Sequence, residues 1–486
     1  MRLEELADAA GAERTVGDPG VEVSHLAYDS RTVGPGTLFF CVVGERADGH
    51  EFAAGAIERG AAALVVEREL PGLEAPQLVL ADARVAMAPI AARFYGEPTA
   101  ELRVAGITGT NGKTTTAFLL REVLEAAAIQ SGLLGTVKQV VGAVEEEVER
   151  TTPEAIDLQR TFRRMLEGGD RACVMEVSSH ALALHRVDAV RFELALFTNL
   201  TQDHLDFHAD MEDYFRSKRG LFADLRPEKG IVNVDDPYGR RLAEEFRCLT
   251  FSAEGAEADF SARSVSFDAS GATFTVVGPR EQTEVRTPMP GHFNVANALG
   301  AFAAAIAMEV DPHKAVEGLA RARRVPGRFE PVDEGQAFAV LVDYAHTPDS
   351  LDNVLAAARR LTEGRVISVF GAGGDRDRDK RPKMGRAGVE GSDLAIVTSD
   401  NPRSEDPEAI IAEVLSGAGG GGAIESEPDR RAAIALAFER ARPGDTVVIA
   451  GKGHEQGQEF ENGRKIPFDD REVAREELLR FRGDEG

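Results

Sequence analysis

With 486 residues, the chain is long enough for about three domains, and 43% hydrophobic residues can build substantial cores. Its formal net charge of −26 argues against non-specific binding to nucleic acid or to an anionic membrane surface. No apolar run approaches the roughly 18 residues of a membrane-spanning helix. The three cysteines have no metal-binding spacing and the N-terminus shows no signal-peptide core, which favours a cytoplasmic protein.

Residues 1–100 are predicted to form a small α/β domain. Apolar runs indicate strands at 38–43, 63–66 and 77–80, with a helix at 52–59. Two polar runs in this domain, 28–31 and 44–50, are each more typical of turns than of binding sites when considered alone.

The most informative stretch is the Gly-rich segment at 106–115, between a predicted strand at 102–107 and a predicted amphipathic helix. Such a loop and helix N-terminus direct backbone N–H groups at one anion. Lys113 can reach terminal phosphates, where we expect it to make its only contacts, and the Thr114 hydroxyl can bind Mg²⁺. The segment therefore predicts a nucleotide phosphate site, although Ile107 stands where the strict phosphate-loop template has glycine.

Polar residues follow two further predicted strands, at 172–177 and 194–199, where an open parallel sheet binds its ligands. Glu176 is an oxygen ligand suited to Mg²⁺, whereas His204 would be an unusual one. The spacing of Lys218, fourteen residues beyond His204, favours a solvated lysine on a helix. The run 260–277 predicts antiparallel strands, and 291–298 begins an Ala-rich helix.

Residues 331–486 alternate strands and helices again, which predicts a Rossmann-like sheet. Strands are expected at 339–343, 366–370, 394–398 and 446–450. Polar loops at 371–382, 400–403 and 451–455 follow three of these strands, so we expect them to share one pocket. The Arg/Asp-rich loop at 371–382 suits either a solvated charge run or an anion site.

Six motifs in combination resemble those of the Mur ligase family: 109–115 (GTNGKTT), 176–180 (EVSSH), 203–206 (DHLD), 343–348 (DYAHTP), 400–403 (DNPR) and 451–455 (GKGHE). The resemblance covers the whole chain and is close to the member that extends UDP-N-acetylmuramoyl-L-alanyl-D-glutamate. It implies an α/β protein with a UDP-muramoyl-binding domain at 1–100, a phosphate-loop parallel-sheet ATPase domain at 101–330 and an amino-acid-binding Rossmann-like domain at 331–486.

The resemblance also implies an activity, an ATP-dependent and amide-forming ligation in peptidoglycan synthesis. ATP would phosphorylate the terminal carboxylate of the UDP-linked peptide, and the amine of an amino acid would attack the acyl phosphate, with ADP and phosphate as products. The implied protein is a cytoplasmic monomer that uses ATP and Mg²⁺ and binds no nucleic acid. A non-catalytic nucleotide switch and a ligase for another acyl acceptor, such as a folylpolyglutamate synthetase, remain alternatives.

Residue roles follow from the same resemblance. The implied ATP contacts are Gly109, Thr110, Asn111, Gly112, Lys113, Thr114, Thr115, Asn294, Arg328 and Asp343. The implied Mg²⁺ residues are Thr114, Glu176, His204 and Lys218, the last as a carbamylated lysine. Lys113, Lys218, His204 and Arg328 are the implied catalytic residues. The UDP-muramoyl peptide would contact Ser30, Glu45, Arg46, Ala47, Thr151, Thr152, Ser178 and Arg186. Leu184 departs from the pattern, since some relatives have Gln there.

The implied amino-acid site is formed by Arg376, Asp400, Asn401, Pro402, Arg403, Gly451 and Glu455. The two choices common in the family are meso-diaminopimelate and L-lysine, which differ by a carboxylate at the far end. Arg403 suits that carboxylate bidentately. L-lysine would leave Arg403 buried and unpaired, at a cost of roughly 1–3 kcal/mol. We therefore predict meso-diaminopimelate, with L-lysine as the alternative.

Overall fold

A computed structural model describes residues 1–44, 47–148, 150–419 and 422–484. It shows an α/β protein, which confirms the predicted fold class. The described residues form two compact units. The first contains Met1–Thr108, Ala128–Ala195 and Ser217–Gly230, and the second contains Gly109–Ala127, Leu196–Arg216 and the described residues from Ile231 onward. The division into domains at 1–100, 101–330 and 331–486 stays a prediction.

The N-terminal segment, within the first unit, is a sheet with helices on it. Its helices are α1 (Leu3–Ala10), α2 (Ala53–Glu58) and α3 (Ala83–Phe94). Its strands are β1 (Arg14–Val16), β2 (His25–Ala27), β3 (Thr37–Phe40), β4 (Ala61–Val66) and β5 (Gln77–Val79). The strand order is β1-β5-β4-β3-β2, parallel except for β1. β3 and β4 are almost wholly apolar because core clusters cover both sheet faces.

The central segment contributes to both units. Its helices are α4 (Lys113–Ala126), α5 (Ala155–Glu167), α6 (Ser179–Ala183), α7 (Met211–Ala223), α8 (Pro237–Glu245), α9 (His292–Ala307) and α10 (Pro312–Arg321). Its strands are β6 (Arg103–Thr108), β7 (Ser131–Leu134), β8 (Gln139–Val141), β9 (Val144–Glu146), β10 (Ala172–Glu176), β11 (Phe192–Phe197), β12 (Lys229–Asn233), β13 (Cys248–Ser252), β14 (Phe260–Asp268), β15 (Gly271–Val277) and β16 (Gln282–Thr287).

Strand pairing in this segment places the first functional residues. In the first unit, β10 pairs in parallel with β6 and β7, and Glu176 lies opposite Ile107. Glu176 and the end of β6 therefore share the carboxyl edge of the sheet, as the sequence predicted. In the second unit, β14, β15 and β16 are antiparallel neighbours, which confirms the prediction for 260–277.

The C-terminal segment belongs to the second unit. Its helices are α11 (Pro348–Leu361), α12 (Lys380–Gly391), α13 (Pro407–Leu415), α14 (Arg430–Arg440) and α15 (Asp470–Asp484). Its strands are β17 (Glu330–Pro331), β18 (Ala339–Asp343), β19 (Val366–Phe370), β20 (Leu394–Val397), β21 (Ala423–Ser426), β22 (Thr446–Ala450), β23 (Gly457–Glu459) and β24 (Lys465–Pro467).

Six of these strands form one sheet in the order β17-β18-β22-β19-β20-β21, parallel from β18 to β21. Apolar clusters pack on both faces, so β18, β19, β20 and β22 are almost wholly apolar. The loops after β19, β20 and β22, at 371–382, 400–403 and 451–455, consequently leave the same edge, and the pocket that they are expected to share stays a prediction. No helix in the described part of the chain is long and apolar enough to cross a membrane.

Candidate active site

Two glycines shape the phosphate loop between β6 and α4. Gly109 has φ 150° and Gly112 has φ 85°, conformations that residues with a side chain rarely adopt. A Cβ at 109 would lie 1.9 Å from Thr198 Oγ1, and one at 112 would lie 2.4 Å from Asn297 Oδ1. Gly112 is also the N-cap of α4, so the helix N-terminus opens at the loop. This arrangement suits an anion at the start of α4.

Lys113, the first residue of α4, folds back over the loop. Its Nζ donates to the Gly109 and Thr110 carbonyl oxygens, both at 2.9 Å. The expectation that Lys113 contacts only phosphate is therefore wrong, because the ammonium also bonds the loop carbonyls. The ammonium lies at the loop, where the charge of a bound phosphate would be.

Arg328 links Thr114, the residue after Lys113, to the end of β18. Its Nη2 donates to Thr114 Oγ1 at 3.1 Å, and its guanidinium lies 4.4 Å from the centre of the Tyr344 ring. The backbone N–H of Phe329 donates to Asp343 Oδ2 at 2.7 Å. Burial raises the pKa of the Asp343 carboxyl, and Arg328 opposes that shift. The structure thus brings Thr114, Arg328 and Asp343 close together, as expected for residues that are all assigned to ATP.

Asn111 ties the loop to two distant segments. Its backbone N–H donates to Asn199 Oδ1 at 2.9 Å, and its Nδ2 donates to Asp349 Oδ2 at 3.0 Å. Burial raises the pKa of Asp349. Asp349 follows the motif at 343–348, but nothing in the sequence indicates that it meets a residue 238 positions away, so it was missed.

Asn294 lies in the first turn of α9 and is buried. Its Nδ2 donates to the Pro290 carbonyl at 2.8 Å, while its Oδ1 accepts from Asn297 Nδ2 at 3.2 Å. Asn297 Oδ1 in turn accepts from Thr116 Oγ1 at 3.4 Å. Asn294 therefore reaches α4 through Asn297, and Thr115 is buried in the first turn of that helix.

Asp203 is a buried carboxylate with three cationic or imidazole neighbours. Lys380 Nζ lies 3.3 Å from its Oδ1, while His204 Nε2 and His346 Nε2 lie 3.4 Å and 3.6 Å from its Oδ2. Burial alone would raise its pKa, but Lys380, His204 and His346 outweigh burial and hold the pKa well below its usual range. Lys380 was not selected from the sequence, where it belongs to an apparently solvated charge run.

In the first unit, Glu176 is fully buried at the end of β10. Its Oε1 accepts from the Thr136 backbone N–H at 2.8 Å, and its Oε2 accepts from Thr136 Oγ1 at 3.1 Å. Thr136 Oγ1 also lies 3.0 Å from Thr151 Oγ1. Glu176 and Thr151, which were assigned to different ligands, are therefore joined through one threonine.

Thr152, Ser178 and Arg186 also come together in this unit. Thr152 Oγ1 donates to the Glu176 carbonyl at 2.8 Å and accepts from the Ser178 backbone N–H at 3.2 Å. Arg186 Nη1 donates to the Thr152 carbonyl at 3.2 Å, and its Nη2 lies 2.9 Å from buried Glu154. Glu154 was missed, because a glutamate beside a helix start carries no signal of its own. Leu184 is the C-cap of α6.

Lys218 lies in the middle of α7 and is only 1% exposed. Within the first unit, Leu221 and Phe222 of the same helix are buried as well. The solvated-lysine interpretation drawn from spacing is therefore wrong. The period of the helix did not reveal this, because Arg216 and Arg219 flank the buried position with charge.

The residues expected at the uridine end are described in part. Ser30 begins a short 3₁₀ helix whose N-cap, Asp29, accepts from the Arg31 backbone N–H at 2.9 Å. The exposed residue Ala47 accepts from the Gly44 N–H at 3.0 Å through its carbonyl. Glu45 and Arg46 lie outside the described residues. No backbone hydrogen bond joins Ser30 to Ala47 among the described residues, and their shared role stays a prediction.

Arg403 is held by protein groups at the end of the β20 loop. Its Nη1 donates to the Gly374 carbonyl at 2.7 Å, and its Nε lies 3.2 Å from Glu459 Oε2. The expectation that Arg403 stands unpaired without a substrate carboxylate is therefore wrong. Arg376 is 45% exposed, and its Nη1 lies 3.8 Å from Asp206 Oδ2.

Asn401 and Glu455 bring the β20 and β22 loops together. Asn401 Nδ2 donates to Glu455 Oε2 at 2.9 Å. Gly451, at φ 124°, lets the β22 loop pass Asp400, whose Oδ2 would be 3.1 Å from a Cβ. Buried Pro402 has its carbonyl against Gly374, where a Cβ would lie 1.9 Å from it. The 400–403 loop therefore touches both the 371–382 loop and the 451–455 loop.

Each of the two units offers an oxygen donor of the kind that Mg²⁺ prefers. Thr114 offers a hydroxyl and Glu176 a buried carboxylate, both oxygen donors that Mg²⁺ accepts. No group of three or more His, Cys, Asp or Glu side chains suited to a metal occurs within the described ranges. Mg²⁺ is commonly held by one or two carboxylates plus substrate phosphates, so either donor suits a site that a phosphate completes.

Comparison with known proteins agrees with the motifs. The Mur ligase family catalytic domain matches residues 22–95, the Mur ligase middle domain matches 107–305, and the Mur ligase glutamate ligase domain matches 327–453. A UDP-N-acetylmuramoyl-L-alanyl-D-glutamate–2,6-diaminopimelate ligase of Streptomyces coelicolor is 48% identical, over 99% of this chain and 97% of its own.

A second ligase of the same description, from Syntrophomonas wolfei, is 45% identical over 99% of both chains. A solved structure of a UDP-N-acetylmuramoyl-L-alanyl-D-glutamate–2,6-diaminopimelate ligase is 32% identical, covers 99% of both chains and superposes with a TM-score of 0.70. With identity this high over almost the whole length, the chain belongs to the Mur ligase family.

Proposed function

We propose that this protein uses ATP to join meso-diaminopimelate to UDP-N-acetylmuramoyl-L-alanyl-D-glutamate. The observation that carries the proposal is the 48% identity, over 99% of the chain, to a ligase described by that reaction. The arrangement of the polar loops supports it independently, since a cationic Arg403 and an anionic Glu455 suit a ligand end that carries both a carboxylate and an ammonium.

The phosphate loop supplies charge and position for the first step. The backbone N–H groups at the start of α4 and the Lys113 ammonium would hold the ATP phosphates. Arg328, which donates to Thr114, would add a second cation, and Asn294 and Asp343 would contact the nucleotide. An oxygen of the substrate carboxylate attacks the γ-phosphorus of ATP. The bond between that phosphorus and the bridging oxygen breaks, which gives ADP and an acyl phosphate.

Four residues of the first unit that were assigned to the UDP-muramoyl peptide would orient that carboxylate. Thr151, Thr152, Ser178 and Arg186 offer hydroxyl, backbone and guanidinium donors to a UDP-muramoyl peptide. Ser30, Glu45, Arg46 and Ala47 would contact its uridine end. The amine of the amino acid then attacks the acyl carbon, and phosphate leaves as the amide forms.

The amino-acid end is assigned to the polar loops of the C-terminal sheet. Arg403 and Arg376 would receive the distal carboxylate, and Glu455 and Asn401 the distal ammonium. Asp400, Pro402 and Gly451 would shape the floor of the site. L-lysine lacks the distal carboxylate and would leave the two arginines without a ligand partner.

Mg²⁺ would be held by Thr114, Glu176 and His204 together with the ATP phosphates, where it would neutralise developing phosphate charge. Lys218 is proposed to act as a carbamate, since a buried lysine can lose its proton and take up CO₂. A carbamate would add two oxygens that share one negative charge to a donor set with one carboxylate. We further propose a monomeric protein that acts in the cytoplasm, where ATP and UDP-linked substrates are available.

Amino-acid-dependent phosphate release tests the function directly. Purified protein is supplied with ATP, Mg²⁺ and UDP-N-acetylmuramoyl-L-alanyl-D-glutamate, and phosphate is measured with meso-diaminopimelate, L-lysine or no amino acid. We expect release to require the dipeptide substrate and meso-diaminopimelate, with a higher kcat/KM for meso-diaminopimelate than for L-lysine. A higher value for L-lysine contradicts the assignment of the amino acid, and nucleotide binding without dependent release contradicts a ligase.

The Lys218 carbamate has its own test. Lys218→Ala is expected to be nearly inactive and to regain part of its activity with added acetate or formate, because a small carboxylate can replace the carbamate oxygens. Wild-type protein in ¹³C-bicarbonate should show a carbamate carbon signal that the variant lacks. Full activity of folded Lys218→Ala, or no such signal, would remove the carbamate from the site.

A further inference from the structure

Lys452 is a fully buried lysine inside the β22 loop to which the reaction assigns no role. Its ammonium has three hydrogens and three side-chain acceptors. Asn401 Oδ1 lies at 2.8 Å, Glu455 Oε2 at 3.0 Å and Asp400 Oδ1 at 3.5 Å. All three acceptors belong to residues assigned to the amino-acid site.

The acceptors fix two orientations at once. Asn401 Oδ1 accepts from Lys452 and also from the Glu459 backbone N–H at 3.0 Å, so the Asn401 amide nitrogen must face Glu455. Glu455 Oε2 then accepts from both Lys452 and Asn401 Nδ2. The carboxylate is 32% exposed, so it is held from the protein side and remains open toward a ligand.

Arg430 provides an informative contrast at the same sheet edge. It is equally buried, and it donates to the backbone carbonyls of Ala450 and Ser399 and to Asp470. Arg430 thus holds the backbone from which the loops start. Lys452 instead bonds side chains that are assigned to the ligand. Arg430 therefore stabilises the path of the loops, whereas Lys452 orients side chains within them.

We propose that Lys452 is a positioning residue for amino-acid recognition: it orients Asn401 and Glu455 so that the Glu455 carboxylate meets the distal ammonium of the incoming diamino acid. This inference rests on the proposed function. Without the lysine, the Asn401 amide can rotate and Glu455 loses a buried donor, which leaves the Tyr344 hydroxyl, 3.4 Å from Oε1, as its remaining fixed donor. The carboxylate is then less well oriented before the ligand arrives.

Lys452→Met is the variant that tests the proposal. We expect its KM for meso-diaminopimelate to rise about tenfold or more, while its KM values for ATP and for the UDP-linked dipeptide stay within about twofold of wild type. Lys314→Met, at an exposed position of α10, is the control and should leave all three values unchanged. If Lys452→Met does not fold, Lys452→Gln takes its place: its amide can donate to Asn401 but carries no charge for Glu455, so the KM for meso-diaminopimelate should still rise while the other two KM values stay unchanged.

A double-mutant cycle separates positioning from general destabilisation. Because Lys452 acts through Glu455, Lys452→Met should add less than about threefold to the KM for meso-diaminopimelate in a Glu455→Gln background. Multiplicative effects of the two substitutions, or equal rises in the KM for ATP, would overturn the proposal. Wild-type protein that fails to use meso-diaminopimelate would overturn the proposed function, whereas active wild type with an unchanged Lys452→Met would overturn this inference alone.

Discussion

The phosphate loop and the polar loops of the C-terminal sheet are built by different physics. The phosphate loop, residues 109–115, depends on glycine conformations and on hydrogen bonds between uncharged groups, such as those to Asn199 and Thr198, to which the Lys113 ammonium adds two more. The polar loops, residues 371–382, 400–403 and 451–455, depend on buried cations. Arg381, Arg430 and Lys452 have no exposed side-chain surface, and each bonds at least one carboxylate.

The difference shows which kind of change each region tolerates. A glycine loop is shaped by its own backbone, so replacing one charged side chain should remove chemistry and leave the loop in place. Removing a buried cation should also lower the stability of the fold, because its carboxylate partners lose the charge that compensates their burial. Substitutions and acid should therefore change the conformation of the polar loops as well as the charges that these loops present to a ligand.

Lys113→Ala tests this expectation at the phosphate loop. We expect phosphate release dependent on meso-diaminopimelate to fall by about 10²–10³-fold or more, because one charged transition-state contact is lost. The bonds from Lys113 to Gly109 and Thr110 are also lost, but the glycine conformations remain, so the melting temperature should change little.

Lys314→Ala, at the exposed position on α10, serves as the control for the loss of a positive charge. Near-normal turnover of Lys113→Ala would refute the assignment of the loop. A large fall in melting temperature would instead show that the lysine bonds, and not the glycines, hold the loop together.

The same contrast explains how far the sequence could lead. The phosphate loop is contiguous, so its glycines, Lys113 and the following helix were all predicted directly. The strands β6, β10, β18, β19, β20 and β22 were predicted too, whereas the parallel strands β7 and β21 were not. Asp349, Lys380 and Lys452 could not be selected, because their partners lie 238, 177 and 51 residues away. A charged residue carries the same local signal whether it is solvated or buried, which is also why Lys218 was misread from spacing.

Arg403→Ala tests the polar loops at the ligand. Arg403 already bonds Gly374 and Glu459, so the substitution removes a prepared cation and not an unpaired one. We expect kcat/KM for meso-diaminopimelate to fall about 10–100-fold, corresponding to roughly 1–3 kcal/mol for a lost charged hydrogen bond. Activity with L-lysine should fall less or not at all.

The exposed arginine Arg464, next to Phe460, supplies the matched control as Arg464→Ala. Equal losses with both amino acids would mean that Arg403 supports the loop without reading the distal carboxylate. That result would weaken the electrostatic case for meso-diaminopimelate while leaving the ligase reaction untouched.

The smallest expected effect concerns acid and the buried cation Arg381. Its guanidinium bonds both oxygens of Glu405, at 2.7 and 2.9 Å, and lowers the pKa of that carboxyl to about 2. Because the folded pKa lies below the unfolded value of about 4.3, the pair stabilises the fold above that pH and loses its contribution as pH falls toward 2.

Glu405→Gln should therefore lower the free energy of unfolding near pH 7 by about 1–2 kcal/mol, a figure reduced for partial solvent screening because the Glu405 side chain is 24% exposed. Urea unfolding of wild type and variant at a series of pH values measures the difference, which should shrink steadily between pH values of about 5 and 2.

Glu408→Gln, exposed at the start of α13, controls for the loss of a carboxylate and should show little difference at any pH. A difference between wild type and Glu405→Gln that stays constant down to a pH of about 2 would mean that Glu405 contributes through packing or neutral hydrogen bonds. In that case, the distinction between a backbone-built and a charge-built region would not extend to this pair.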